Sequence, residues 1–495
     1  MQTMEDSPHR KSAASRLKVS RRAFIVSAAT IAAAARASQP GQARILMNDA
    51  SRLNPTPVLE HRRARSDPRN ALIEALRAEL KSAADAGHRV AVGAARHSMG
   101  GQSLPRDGVA ITLDDPWFEI DTARQIYRVA AGARWAQVIA KLDPLGFSPK
   151  VMQSNNDFGV ASTFCVNAHG WPVPHGPFGS TVRALRLMLA DGSLMECSRT
   201  SNAELFSLAM GGYGLFGIIL DLDVEMERNV LLAPTIALMP GDEFADRFIP
   251  VVERDPATLL AYGRLSVARR DFFGEAMLTT YRAADPQPSP LAAATSGGAL
   301  TAIANDIYRE QIGSEIPKRL RWLAESRLNP SLGSGLATRN SLLNEPVSNL
   351  ANPSAVRTDI LHEYFVPSAR FREFLSACRE VIPPAKAEFL NVTLRYVAAD
   401  DTAVMAFAPQ PRIAAVMSFS QRMTTEGEVD MLETTQRLID RVVALSGAFY
   451  LPYRLHASRD QVEKAYPNTA RFIERKRFYD PKLLFRNAMW DAYFS

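Results

Sequence analysis

The chain has 495 residues, too many for one hydrophobic core, so two or three domains are expected. Its 46% hydrophobic and 22% charged residues are those of a globular protein, with no low-complexity block. A net charge of +6, part of it clustered at Arg10, Lys11, Arg16, Lys18, Arg21 and Arg22, is too mild to point to nucleic acid as a main partner.

The first element is "KVSRRAFIVSAATIAAAARA", a basic region, a short Ala-rich apolar run and then Ala35-Arg36-Ala37. This is the layout of an export signal with an A-x-A cleavage site, and Ser20-Arg21-Arg22-Ala23-Phe24-Ile25 matches the twin-arginine pattern. The expectation is a signal over residues 1–37, recognised by the twin-arginine machinery, and a periplasmic or secreted protein. That route carries folded proteins, which suits one that collects a cofactor first. No later apolar run is long enough for a membrane helix. Cys165, Cys197 and Cys378 form no C-x-x-C pair, so no zinc or redox motif is expected, and buried reduced thiols are the simplest reading.

A linker over 38–55 leads to "RNALIEALRAELKSAADAG", an amphipathic helix stopped by Gly87. "HRVAVGAA" and "GVAITLDD" read as strands, "IYRVAAGARW" as a strand and turn, and "WAQVIAKLDPLG" as a helix. "TVRALRLMLADGSLMECS" holds two strands about an Asp191-Gly192 turn. "NAELFSLAMGG" is a helix and "FGIILDLDVEM" a strand, closing an α+β unit near residue 228. From 229 the texture changes. Strand-like stretches ("RLSVARRDFFGEAMLTTYR", "HEYFVP", "LNVTLRYV", "IAAVMSFSQRMT") alternate with the helical "SARFREFLSACREVI" and "VDMLETTQRLIDRVVALSG". The expectation is an antiparallel sheet with covering helices. About 284–356 the chain is rich in Pro, Ser, Gly and Asn, with one basic helical stretch, "IPKRLRWLAESRL". It reads as an insertion, either a lid or partner surface or, more simply, a structural excursion.

Gly212-Tyr213-Gly214-Leu215-Phe216-Gly217 fits G-x-G-x-x-G, but a helix precedes it and a strand follows, the reverse of a dinucleotide fingerprint. Walker, H-E-x-x-H and G-x-S-x-G motifs are absent from the sequence, which leaves hydrolase and metalloenzyme readings without support. Two glycine- and histidine-bearing loops remain: "VGAARHSMGGQ" (92–102) and "DFGVASTFCVNAHGWPVPHGPFGSTV" (157–182). Small residues let backbone N–H groups approach a pyrophosphate and form an anion-binding concavity.

With "LADGSLMECS" and "NAELFSLAMGGYGLFGII" in order, these loops resemble the vanillyl-alcohol-oxidase/PCMH-type FAD-binding family over roughly 56–228. The C-terminal "YLPYRLHASRDQVEKAYPNTARFIERKRFYDPKLLFRNAMWDAYF" and the strand "LRYVAADD" (394–401) resemble its aldonolactone and alditol oxidase branch. The resemblance implies a two-domain α+β fold. FAD would bind residues 56–228, a substrate or cap domain would span 229–455 with an antiparallel sheet, and 456–495 would return to the FAD domain. It also implies FAD contacts from Gly93, Ala94, Ala95, Arg96, His97, Ser98, Gln102, Gly159, Ala161, Ser162, Asn167, His169, Gly170, Gly217, Ile218 and Asn487, with a covalent histidyl bond at His97. The branch carries Glu-x-Arg where this chain has Thr393-Leu394-Arg395. It carries Pro-His-Trp-Gly-Lys where this chain has Pro452-Tyr453-Arg454-Leu455-His456. The implied catalytic candidates are Arg395, His456, His169 and Glu363. Tyr364, Tyr396, Tyr450 and Tyr453 are candidates for a ring-binding wall, or for plain core.

The expected activity is FAD-dependent oxidation of a CH–OH group of an alcohol, sugar or aldonolactone, with electrons passing to O2 or a periplasmic acceptor. Amine oxidation of the cytokinin-dehydrogenase type is the rival. Two further alternatives are a non-catalytic flavoprotein and a flavin-free carbohydrate binder.

Overall fold

The computed structural model describes residues 44–65, 70–114, 116–296, 308–328, 335–346, 352 and 354–495. The export-signal reading of residues 1–37, and parts of the 284–356 segment, fall outside them.

After a short antiparallel pair, Ile45–Met47 with Thr56–Val58, comes a three-stranded parallel sheet, with β1 (Glu60–Arg65) and β2 (Val90–Gly93) on either side of β3 (Val109–Asp114). Between β1 and β2 runs α1 (Asn70–Asp85), which buries Leu72, Ile73, Leu76, Leu80 and Ala83, one stripe of helical period. It ends before Gly87, whose φ of 67° is the left-handed conformation of a helix stop. A second, antiparallel sheet follows: β4 (Phe118–Asp121), β5 (Ile126–Ala130), β6 (Phe147–Pro149), β7 (Val182–Met188), β8 (Leu194–Ser198) and β9 (Ile218–Arg228). Its order is β8-β7-β9-β5-β4, with β6 also on β9. Asp191-Gly192 turns β7 into β8, with the Asp191 carboxylate accepting from Ser193 N–H at 2.9 Å. Helices α2 (Trp135–Leu142), α3 (Val160–Cys165) and α4 (Ala203–Ala209) bury Trp135, Val138, Phe164 and Phe206 against this sheet in the front hydrophobic core.

The later strands form one eight-stranded antiparallel sheet: β10 (Leu231–Pro240), β11 (Thr258–Leu265), β12 (Glu275–Ala283), β13 (Ala337–Thr338), β14 (Arg357–Val366), β15 (Glu388–Val397), β16 (Arg412–Arg422) and β17 (Ala448–Phe449). They lie in the order β13-β10-β12-β11-β15-β16-β14-β17. After α5 (Phe244–Arg254) and α6 (Glu315–Leu323) come α7 (Phe371–Val381) and α8 (Thr425–Ala444). Phe244 and Phe248 of α5, Phe374 and Cys378 of α7, and Leu438 of α8 share a second core with Ile360, Val392 and Phe419 of the sheet. The two-residue alternation of the strands therefore sends apolar side chains to one face. Arg264, Asp359, Glu363, Asn391, Thr393 and Arg395 go to the other, where they line a cavity.

Two segments tie late chain to early chain. Val90 N–H donates to Leu484 O at 2.7 Å, and Asp480 accepts from Leu484 and Phe485 N–H at 2.8 Å each. Within the 284–356 segment, Asn340 donates to Asp143 at 2.7 Å and to Phe147 O at 2.8 Å, and Leu343 enters the front core. Here the described part of the segment packs on the front unit: Asn340 satisfies front-unit polar groups and Leu343 fills front-unit core. Among the described residues no helix is long and apolar enough to cross a membrane.

Asp221 is the polar pivot of the front sheet. Its side chain is 1% exposed and sits on β9 opposite Ala130 of β5 and Arg186 of β7. It accepts from Arg128 Nε at 3.0 Å and Arg186 Nε at 2.8 Å, cross-linking three strands. Asp221→Ala removes the buried carboxylate that both guanidinium groups share and should lower unfolding stability by about 3 kcal/mol in urea titration. A loss below about 1 kcal/mol would show that the cross-link carries little.

Candidate functional site

The glycine loops meet because their backbones are bare. A Cβ on Gly159 would lie 2.7 Å from Ala94 Cβ, and one on Gly93 would lie 3.1 Å from Ser103 Cβ. Gly217, at φ 152°, passes so near β7 that a Cβ would lie 2.4 Å from Met188 O. The outcome is one cavity of about 990 Å³, at the upper end of the range for cofactor sites. Gly93, Ala94, Ala95, Arg96, His97, Ser98 and Gln102 line it from the first loop. Gly159, Ala161, Ser162 and His169 line it from the second, and Gly217 from the third. The second loop is not wholly irregular: Gly159 N-caps the short helix α3, which the run Val160–Cys165 forms.

Arg96 marks one end. It is a non-glycine residue held at φ 56°, a strained conformation that concentrates at functional sites. Its Nε and one terminal nitrogen are buried with no partner. Burial and the nearby charges of Arg63 and Arg134 bring its pKa down to about 10. A buried, unpaired cation beside two others is costly unless an anion joins it. The close-packed glycines and this cationic end fit a pyrophosphate, so these residues are the ones that would hold the diphosphate bridge of FAD.

His97 stands further along. Its Nε2–H donates to Asp157 at 2.7 Å and its ring tilts against Phe158 at 4.4 Å. With Nε2 giving its proton to the carboxylate, Nδ1 carries the lone pair. Burial lowers the His97 pKa below 6.5 against the opposing pull of Asp157, so the ring is neutral at pH 7. Burial also pushes the thiol of Cys165, another lining residue, up to about 12, so it stays protonated.

The other end lies under the polar face of the eight-stranded sheet. His169 Nε2–H donates to Glu363 Oε1, and both side chains are 3% exposed. Tyr453 O–H donates to Glu363 Oε2 at 3.3 Å. Arg395 donates to Ser154 Oγ and to His169 O, while its Nε has no partner. Burial lowers the Arg395 pKa, with Glu363, Tyr453 and Tyr450 pulling the other way. Glu363, His169, Arg395, Tyr450 and Tyr453 therefore share one corner of the cavity.

Five expected site residues sit elsewhere. His456 does not line the cavity. It lies behind β14, where Nε2–H donates to Glu428 at 2.9 Å, Nδ1 meets Thr435 at 3.2 Å and the ring stacks on His362. The turn after Pro452 presents Tyr453 to the cavity, and Arg454 also turns away to Glu428. Ile218 is displaced by strand alternation, and Ile219 is the lining residue. Gly170 packs on the backbone of Met152, where a Cβ would lie 2.0 Å from Met152 O. Asn167 accepts from Gly179 N–H at 2.9 Å and donates to Asp400 at 2.7 Å. Asn487 caps the helix Ala488–Tyr493 and donates to Gln102 O at 2.9 Å and Tyr213 O at 3.2 Å. The last three brace the loops from outside. Of the other aromatic candidates, Tyr364 is core, and Tyr396 donates to Glu253 beside α5 at 3.1 Å.

Several lining residues were not anticipated: Arg264, Tyr308, Arg321, Glu325, Asp359, Asn391 and the rings of Trp171, Tyr262 and Tyr281. For β15 the signal was present. Asn391, Thr393 and Arg395 alternate with Val392 and Leu394, a polar stripe inside an otherwise apolar strand. Residues 308–325 reach the cavity as a cover, so part of the 284–356 segment is a wall of the site.

Comparison with known proteins agrees with this geometry. Residues 71–198 match the family described as FAD binding domain. Cytokinin dehydrogenase 1 of Arabidopsis thaliana is 31% identical over 151 residues, 30% of this chain and 26% of the relative. L-gulonolactone oxidase of Bos taurus is 30% identical over 107 residues, 22% of this chain and 24% of the relative. Cytokinin dehydrogenase 7 of Oryza sativa subsp. japonica is 27% identical over 227 residues, 42% and 40% of the two chains. The matches thus span between about a quarter and two fifths of these curated relatives. The matched segment holds both glycine loops up to the end of β8, and FAD is its cofactor. Residues 71–198 are therefore an FAD binding domain, and its relatives are consistent with the vanillyl-alcohol-oxidase/PCMH family.

Proposed function

We propose that this protein is an FAD-dependent oxidoreductase that oxidises a CH–OH group, and that residues 1–37 direct it to the periplasm or outside the cell by the twin-arginine route. One observation carries the activity. The loops suited to FAD and the polar face of the eight-stranded sheet line a single cavity, with the buried His169–Glu363 pair where they meet. FAD bound there supplies a two-electron acceptor. Glu363, oriented by His169 and Tyr453, takes the hydroxyl proton, while the C–H hydrogen leaves with its electron pair and the carbon becomes a carbonyl. Arg395 is a fixed cation beside His169 that orients the substrate. O2 or another acceptor then removes the two electrons.

Amine oxidation is the second reading. The Glu363 carboxylate favours it, being a base able to accept an N–H proton, and so does the likeness to cytokinin dehydrogenases. Anaerobic mixing of the yellow protein with alditols, aldonolactones and allylic secondary amines separates the two. Bleaching by the first two groups supports CH–OH oxidation, and bleaching by amines alone replaces it. Bleaching by none of these, nor by a hydroxy acid, leaves a non-catalytic flavoprotein.

With whichever donor bleaches the flavin, Glu363→Gln should slow flavin reduction by about 10²- to 10⁴-fold in stopped flow. A loss under about threefold would exclude Glu363 as the base.

We further propose that His97 Nδ1 forms the covalent bond to the flavin, since Asp157 holds the other nitrogen. Acid precipitation of the wild-type protein should keep flavin in the pellet. His97→Ala should still bind FAD but release it to the supernatant. Wild-type flavin that washes out would refute the bond.

A further inference from the structure

The cavity holds more cationic donors than its own carboxylates satisfy, and the surplus lies beside the reacting corner. On β15 the side chains of Asn391, Thr393 and Arg395 face the cavity at every second position. Arg264 of β11 lies directly opposite Thr393 in the register and faces the same way. Arg264 and Arg395 are therefore diagonal neighbours across one strand pair, within reach of a single small group.

Neither guanidinium is fully satisfied. Arg264 Nε and Arg395 Nε are both shielded from water and have no hydrogen-bond partner. Arg264 shares one carboxylate, Glu325, with Arg321, so two guanidinium groups divide one acid. Arg395 has weaker company. Its partners are a serine hydroxyl and a backbone carbonyl, and among the described residues no carboxylate lies within ion-pair distance of it. The position two residues before it, on the same face, is Thr393, so the strand supplies no acid there. Half-buried guanidinium groups left in this state call for an anion, and the planar fork of arginine matches a carboxylate. Beside them Trp171 makes edge contacts with Tyr262 and Tyr281, at 5.3 and 5.6 Å, giving the rest of a ligand an aromatic wall.

We propose that Arg264 and Arg395 form a carboxylate-binding subsite, so that the compound oxidised is an acid rather than a neutral polyol. The proposal rests on the reading of this cavity as the substrate site of a flavin oxidoreductase. Arg264 acts as a specificity residue. Arg395 serves both ends, through its unpartnered Nε toward the carboxylate and through its place beside His169 toward the reacting carbon. Thr393 keeps the pair open, because an acid at that position would neutralise it internally.

Titration of the purified flavin-loaded protein with matched probes tests this without turnover, reading the visible flavin spectrum. Benzoate is compared with benzamide, and D-gluconate with D-glucitol. At least one carboxylate should bind about tenfold or more tighter than its neutral partner. Arg264→Ala and Thr393→Glu should each weaken that carboxylate by about tenfold or more, with flavin content and neutral-probe binding unchanged. Arg264→Lys, which keeps the charge but not the fork, should fall between. Equal affinity within both pairs, no perturbation by either carboxylate, or unchanged carboxylate binding in Arg264→Ala would overturn the subsite. A protein that carries no flavin would defeat the functional reading beneath it, whereas a flavin bleached by neutral alcohols without carboxylate preference would defeat this inference alone.

Discussion

The structure depends on how closely two loops approach each other. Ala94 and Gly159 are packed so that one added methyl would force them apart, and each carries its neighbours with it. From Ala94 the chain runs directly into Arg96, His97 and Ser98, and from Gly159 into α3 and on to His169. Bringing these two points together places an unpartnered guanidinium, a neutral imidazole and a buried His–Glu pair along one cavity. The glycines thus act by absence, allowing main-chain groups to form a wall that side chains would otherwise fill.

Around that contact the late chain acts as a clamp. Asn487 donates to Gln102 O in the first loop and Tyr213 O in the glycine loop before β9, while Val90 is paired with Leu484. Lys476, buried and brought to a pKa of about 8 by desolvation, donates to Leu215 O and pairs with Asp480. Buried charges of this kind are weak evidence for net stability but demanding in geometry. The loops are accordingly held by groups from sequence positions nearly 400 apart, as the 385-residue separation of Asn487 and Gln102 illustrates.

Legibility in the sequence followed the range of the interactions. Helical period and glycine stops marked α1, α2 and α4, and Asp191-Gly192 marked the β7–β8 turn, because these are decided within a few residues. The loops were recognisable because backbone approach demands small residues in place. Side-chain direction after a turn was not. His456 and Tyr453 lie three residues apart in an irregular segment, and nothing local says which one faces the cavity; packing against Glu428 and α8 decides it. The same holds for Ile218 against Ile219, where the choice of face belongs to the register of β9 with β7. The polar stripe on β15 was readable in principle. The cover from residues 308–325 was not, since only the fold brings Arg321 and Glu325 over Arg264.

The central claim is that the contact of the two loops creates the FAD site, and the flavin content of purified wild-type and Gly159→Val protein tests it most directly. Gly159 has φ −74° and ψ 141°, so valine is compatible with the backbone, and its Cβ would press hardest on Ala94 Cβ at 2.7 Å, with Ser162 Oγ next at 3.3 Å. The account predicts stoichiometric flavin in the wild type and its near-complete loss in the variant, with far-ultraviolet circular dichroism unchanged. Full flavin occupancy in Gly159→Val, or a colourless wild type, would contradict it.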